Sequence, residues 1–183
     1  MSPILGILAS ARPSVPNSYE SISTVTVGSG GQSNISFTSI PATYKHLQIR
    51  CFARNTSGTG RLRMQMNGNT GSNYSTHLLV GDGSTAAAFA GASAVQISAG
   101  ANVNATANVF YAGVIDILDY SNSTTNKTVR VLSGNDNNGS GELSFNSELY
   151  NLSSTAVNAI TLTPQSGVFA QYSQFALYGI KGS

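Results

Sequence analysis

Charged residues are scarce in this 183-residue chain. Nine Lys or Arg and seven Asp or Glu make up 9% of the sequence, whereas an average soluble protein has roughly a quarter. The formal net charge is +2. Basic residues cluster only at Arg50, Arg54, Arg61 and Arg63, a group that alternating strand faces explain as well as a polyanion site does. Without a basic run and interleaved aromatic residues, we expect no nucleic-acid partner.

Cysteine and histidine are also rare. Cys51 is the one cysteine, so the chain has no internal disulfide, which is compatible with synthesis in a reducing cytoplasm. Its alternating apolar surroundings predict a small buried hydrophobic residue. His46 and His77 each lack a second ligand at metal-binding spacing. We therefore expect no metal and no cofactor.

Recognisable catalytic motifs are missing. The chain has no Gly-x-Ser-x-Gly elbow, P-loop or dinucleotide fingerprint. Asp116 and Asp119 lie three apart and would face opposite sides of a strand. We expect Asp119 to begin a turn and Asp116 to pair with a nearby Arg or Lys. We predict that the protein is not an enzyme; a glycan hydrolase would have to draw its carboxylates from these two, Asp136, Glu142 and Glu148.

The segment from Asp136 to Glu142 places oxygen-bearing side chains at alternate positions, as at the start of a calcium loop. Its glycine is misplaced, however, and no flanking helices are predicted. The composition favours a hairpin turn instead.

Long hydrophobic runs are absent too. The longest apolar stretch at the N-terminus, Ile4–Ala9, is interrupted by a glycine and preceded by no basic residue. It therefore resembles neither a signal peptide nor a membrane span. We expect no membrane partner.

What the chain does contain is a series of short β-like runs separated by Gly, Asn and Ser-rich turns. Their spacing of roughly 8–12 residues, without an amphipathic helix, is typical of a β-sandwich or barrel. Because long loops interrupt the hairpins, we predict an all-β, jelly-roll-like β-sandwich of nine or ten strands. The runs are 19–27, 34–37, 45–52, 61–66, 74–80, 107–120, 127–132, 142–149, 156–163 and 172–180.

Alternation within these runs predicts which side chains face the core. Leu47, Ile49 and Cys51 should face inward, as should Leu62, Met64 and Met66. The apolar run 107–120 should be a central strand, buried on both faces over part of its length. The alanine-rich residues 86–94 contain Gly91 and have no polar face, so we expect a loop or a single helical turn there.

Residues 1–18 are predicted to form an extended N-terminal arm, and residues 19–183 the β-sandwich domain. Three prolines in the arm disfavour regular strand pairing. Its apolar residues would dock on a neighbouring partner by adding a strand to it. The alternative is an N-terminal edge strand of the same domain. The docking residues are Ile4, Leu5, Ile7 and Leu8.

Several segments resemble a family of tailed-phage virion proteins frequent among phages of aquatic bacteria, including cyanophages. The segments are 2–10, 40–50, 115–122, 127–134 and 169–182. The resemblance implies a β-sandwich structural protein of the virion without catalytic residues. It is compatible with a homotrimeric capsid cement or decoration protein on the outside of the major capsid protein shell. It is also compatible with a tail fibre or receptor-binding module that contacts host-surface glycans.

We favour the decoration protein. A fibre normally carries a long shaft, and the sequence has neither coiled-coil heptads nor shaft repeats. The expected partner is therefore the major capsid protein, and the expected location is the capsid exterior.

Overall fold

The computed structural model describes residues 18–182. Within that range the chain forms twelve β-strands and no helix, so no helix there is long and apolar enough to cross a membrane. The strands are β1 Tyr19–Thr26, β2 Ile35–Phe37, β3 His46–Ala53, β4 Thr59–Met66, β5 Tyr74–Gly81, β6 Ala86–Ala94, β7 Ile97–Asn104, β8 Tyr111–Leu118, β9 Lys127–Asp136, β10 Gly141–Tyr150, β11 Ile160–Pro164 and β12 Gln174–Ile180.

The strands form two antiparallel sheets, which confirms the predicted all-β sandwich. The large sheet has eight strands in the order β1-β12-β3-β8-β9-β10-β5-β6. The small sheet has four, in the order β2-β11-β4-β7. The side of the large sheet that faces the small sheet is its inner face, and the opposite side is its outer face.

The core lies between the sheets and contains the residues that alternation placed there. Leu47 and Ile49 of β3 are fully buried, and so are Leu62, Met64 and Met66 of β4. Cys51 is buried as predicted. Burial raises the pKa of its thiol far above the ordinary value, because the thiolate would lose its hydration.

The apolar run 107–120 contains β8, which lies between β3 and β9 near the middle of the large sheet. Its inward residues Tyr111, Ile115 and Ile117 are buried. The central position is confirmed. Its outer face is only partly covered, since Ala112 is exposed and Val114 is half-buried.

The prediction for residues 86–94 was wrong. They form β6, which pairs antiparallel with β5. The ladder begins where Ala86 lies opposite Gly81 and ends where Ala94 lies opposite Tyr74. The intrinsic helix preference of alanine is a few tenths of a kcal/mol per residue, and the main-chain hydrogen bonds of the β5 ladder override it. The next strand, β7, was not predicted at all, because its small residues give no clear alternation.

Candidate functional site

The outer face of the large sheet carries an exposed group of large hydrophobic side chains, here called the apolar patch. Each of its five large members is between 49% and 61% exposed. The members are Phe52, Leu79, Leu132, Leu143 and Phe145, with Ala88, Ala112 and Val114 between them. Contiguous exposed apolar surface of this kind marks interaction sites on soluble proteins.

Strand register makes the patch continuous. One row crosses five strands, since Phe145 lies opposite both Leu132 and Leu79, and these lie opposite Val114 and Ala88. Directly opposed side chains have Cβ atoms about 5 Å apart. The row therefore forms an unbroken apolar band across β8, β9, β10, β5 and β6.

A second row, next to the first, contains small residues. Gly134 of β9 lies between Ala112 and Leu143. These residues help to line a shallow open depression of about 430 Å³, with Arg50 at its rim. Phe52 begins this row and stacks on Phe110 with ring centroids 4.2 Å apart.

A polar row borders the patch. Asp116 of β8 lies opposite Gln48 and Arg130, and the amide of Gln48 donates to its carboxylate at 2.8 Å. The prediction that Asp116 pairs with an Arg or Lys was wrong. The described residues contain three ion pairs, and none includes Asp116. Polar side chains that can hydrogen-bond to a partner therefore lie beside the apolar patch, as at many protein interfaces.

The inner face of β10 is polar, directly behind the patch. Ser144, Asn146 and Glu148 are buried there, while Leu143 and Phe145 point outward. Asn146 donates to Glu148 at 3.0 Å and accepts from Ser144 at 2.6 Å. Strand β10 thus reverses the usual arrangement of apolar side chains inward and polar side chains outward.

Asn146 belongs to a larger set of side chains that bind the main chain of β7, here called the polar seam. Strand β7 is an edge of the small sheet, so one side of its main chain lacks a strand partner. The large sheet supplies bonds instead. Ser133 accepts from Ala101 N at 2.8 Å, and Asn146, Tyr111 and Asn135 donate to the carbonyls of Ser98, Ala99 and Asn102 at 2.8, 2.8 and 2.7 Å.

Close approach in the polar seam depends on small residues in β7. At Gly100, φ is +122° and a Cβ would collide with Ser133 and Tyr111. A glycine is therefore required at this position both for backbone conformation and for space.

Glu148 is the most perturbed acid of the inner face. Its Oε1 accepts from Thr76 at 2.6 Å, but its buried Oε2 has no hydrogen-bond partner among the described residues. Burial raises the pKa of this carboxyl to about 7. The loss of hydration outweighs the hydrogen bonds to this carboxyl and the charge of Arg61, which lower its pKa.

An asparagine-rich cleft of about 220 Å³ opens at the end of the sandwich near the β9–β10 hairpin. Asn102 donates to Glu142 at 2.7 Å, and Glu142 also pairs with Arg61 at 3.0 Å. Asn104 donates to Asn137 at 3.3 Å across the cleft. Side-chain amides and a carboxylate are groups that bind sugar hydroxyls.

The predicted turns are confirmed. In the β9–β10 hairpin, Asp136 accepts from Asn138 N at 2.7 Å, and Asn137 N donates to Ser140 O. Asp119 begins a turn, with its carbonyl accepting from Asn122 N, and its carboxylate pairs with Lys45. Of the side-chain oxygens that suggested a calcium loop, that of Asp136 is thus used in the turn, and those of Glu142 bind Asn102 and Arg61.

The remaining candidate residues are dispersed. His46 accepts from Asp119 N at 2.9 Å through Nδ1, whereas His77 is exposed on β5. Residues 18–182 contain no cluster of three or more His, Cys, Asp or Glu that suits a metal ion. The predicted docking residues Ile4, Leu5, Ile7 and Leu8 lie outside the described residues.

Sequence reasoning missed the apolar patch and the polar seam. The signal was present in residues 142–149, where Leu143, Phe145 and Leu149 alternate with Ser144, Asn146 and Glu148. Alternation separates two faces, but it does not say which one is buried.

Comparison with known proteins gives no relative. No protein-family model matches the chain, and no curated protein or solved structure is significantly similar to it.

Proposed function

We propose that this protein is a non-catalytic structural component of a phage virion, a capsid decoration protein that binds the outer surface of the major capsid protein shell. The observation that carries the proposal is the apolar patch. The capsid shell is proposed as the partner because the sequence resembles phage virion proteins.

The patch suits a broad protein surface better than a small ligand. It lies on the face of a sheet and crosses six strands from Phe52 to Ala88, whereas small-molecule sites are concave and enclosed. Covering its half-exposed side chains would contribute on the order of 1 kcal/mol for each large residue. Several such residues together suffice for a specific but individually modest contact.

A modest contact is adequate on a capsid. A shell presents the same binding surface many times, and a multimeric decoration protein binds several copies at once, so avidity multiplies weak contacts. The low charge of the chain also means that such binding depends little on salt, because few ion pairs contribute.

The test is rebinding of purified protein to capsids stripped of it, measured by co-sedimentation. Phe145→Asp, in the middle of the patch, should weaken binding at least about 30-fold, as expected for an interface hot spot. Ser147→Asp is the matched control, since residue 147 is exposed on the same face of β10. Unchanged binding by Phe145→Asp would refute the role of the patch.

A receptor-binding module is the second candidate, and the asparagine-rich cleft favours it. Under this alternative, the amides of Asn102 and Asn137 bind a host-surface glycan. A glycan array would show binding by the full chain that Asn137→Ala removes. Specific glycan binding together with no capsid rebinding would replace the first proposal by the second.

A further inference from the structure

Strand β6 is an open edge of the large sheet. It pairs with β5 on one side and is the last strand in the order. Seven of its nine residues are exposed, and its sequence Ala-Ala-Ala-Phe-Ala-Gly-Ala-Ser-Ala has no charged residue and no proline. An edge of this kind offers free main-chain hydrogen-bonding groups to another strand.

The other described sheet edges are protected. Strand β7 is covered by the polar seam, and β2 is only three residues long. Strand β1 carries Glu20, which pairs with Lys181, and its ladder with β12 contains a bulge. Natural proteins block unwanted strand pairing with such devices. The β5–β6 ladder has a register shift between Tyr74 and Thr76, near the Ala94 end, but β6 carries neither a charge nor a proline. Its long exposed edge therefore points to a strand partner.

We propose that residues 4–12 of a second copy of this chain add to β6 as a further antiparallel or parallel strand. This segment is nine residues long and free of proline, the same length as β6. Its large residues complement the alanines of β6, whose short side chains leave lateral space next to them.

In either strand direction, the added strand presents large apolar residues on both of its faces. Alternation on the added strand places Ile4 and Leu8 on one face and Leu5 and Ile7 on the other. One pair then lies beside Phe89, which is 56% exposed on the inner side of β6. The other pair lies at the end of the apolar patch, beside Ala88, which separates it from Leu79 of β5.

The donor must be another copy because the segment cannot reach β6 of its own chain. Strands β1 and β6 are the two opposite edges of an eight-stranded sheet, about 34 Å apart at ~4.8 Å per strand. Only residues 13–18 connect the segment to β1, and six extended residues span about 20 Å. A neighbouring copy has no such limit.

The contact joins different surfaces of the two copies, the segment of one and the β6 edge of the next. Such head-to-tail contacts generate a closed ring when the rotation allows. A ring of three agrees with the homotrimer that the resemblance to phage virion proteins implies. The inference concerns self-assembly and does not depend on capsid binding.

The first test measures the mass of the protein in solution by sedimentation. The full chain should form a trimer, whereas deletion of residues 2–12 should leave a folded monomer. Phe89→Lys, which places a charge on the edge strand, should also give a monomer. Thr24→Lys is the matched control on the exposed β1 edge and should remain trimeric.

The second test identifies the donor. Chains carrying Ile7→Cys or Leu8→Cys, which face opposite sides of the added strand, and chains carrying Ala88→Cys or Ala90→Cys, with different tags, are co-expressed and oxidised. We expect disulfide-linked pairs containing both tags, and the buried Cys51 should not interfere. A monomeric full chain, a trimer that survives the deletion, disruption by Thr24→Lys instead of Phe89→Lys, or no mixed cross-link would each overturn the proposal.

Discussion

Strands β3 and β10 lie in the same sheet, yet they have opposite relations between sequence and burial. In β3 the apolar residues Leu47 and Ile49 face the core and Arg50 faces outward. In β10 the apolar Phe145 faces outward and the acid Glu148 is buried. Strand β3 contributes mainly to the core and only Phe52 to the apolar patch, whereas the outer surface of β10 supplies both Leu143 and Phe145 for contact with another molecule.

The largest expected loss of stability comes from a substitution in the buried face of β3. Ile49→Ala should lower the free energy of unfolding by about 2–5 kcal/mol, because it leaves a cavity in a fully buried site. Urea denaturation measures this loss. Ala112→Gly, on the exposed side of neighbouring β8, is the control and should cost about 1 kcal/mol or less. Equal losses would contradict the assignment of the core.

Glu148 should make stability depend on pH. Its pKa is 4.5 when unperturbed and about 7 in the fold, so the folded state retains a proton that the unfolded state releases. The free energy of unfolding should therefore fall by roughly 3 kcal/mol as pH rises from about 4.5 to about 7, and stay constant above.

Glu148→Gln should abolish most of that fall, leaving the variant similar to the parent near pH 4 and more stable at pH 8. Urea denaturation across this range checks it. Glu20→Gln is the control, since Glu20 lies at the surface and the pKa of its carboxyl is lowered by Lys181. If the free energy of unfolding of Glu148→Gln fell with rising pH as much as that of the parent, Glu148 would not be the cause of the pH dependence.

The next largest loss of stability is expected from a substitution in the polar seam. Tyr111→Phe removes the hydroxyl that donates to the carbonyl of Ala99, leaving a buried acceptor without this bond. The expected loss is about 1–2 kcal/mol, measured by thermal or urea unfolding. Tyr178→Phe, on the half-buried side of β12, should change stability by less than about 0.5 kcal/mol. A neutral Tyr111→Phe would mean that the seam bond contributes nothing.

The smallest stability effect should come from the apolar patch. Phe145→Ser removes a side chain that is 50% exposed and should change the free energy of unfolding by less than about 1 kcal/mol. The same protein should lose binding to stripped capsids. A large destabilisation would instead make Phe145 a core residue.

Much of the fold followed from the sequence, because most runs obey simple alternation. The inward sets of β3 and β4, the central position of β8 and the turns at Asp119 and Asp136 were all predictable. Strand β6 was not, since the intrinsic propensity of alanine favours a helix and only pairing with β5 makes it a strand. Propensity is weaker than tertiary context at such a position.

The candidate site was less predictable than the fold. The alternation of β10 was visible, but the burial of Glu148 depends on β7, whose small residues allow it to approach. That approach joins segments far apart in the chain, and local patterns do not encode it. The predicted docking residues of the arm remain predictions.

The polar seam also bears on the order of events during folding. Its bonds join Ala101 to Ser133 and Ser98 to Asn146, residues 32 and 48 positions apart. Closing such loops costs entropy before any contact is gained, and topologies rich in distant pairs fold slowly. We expect the hairpins to form first and β7 to dock late, so that the last kinetic phase of refolding reports on the polar seam.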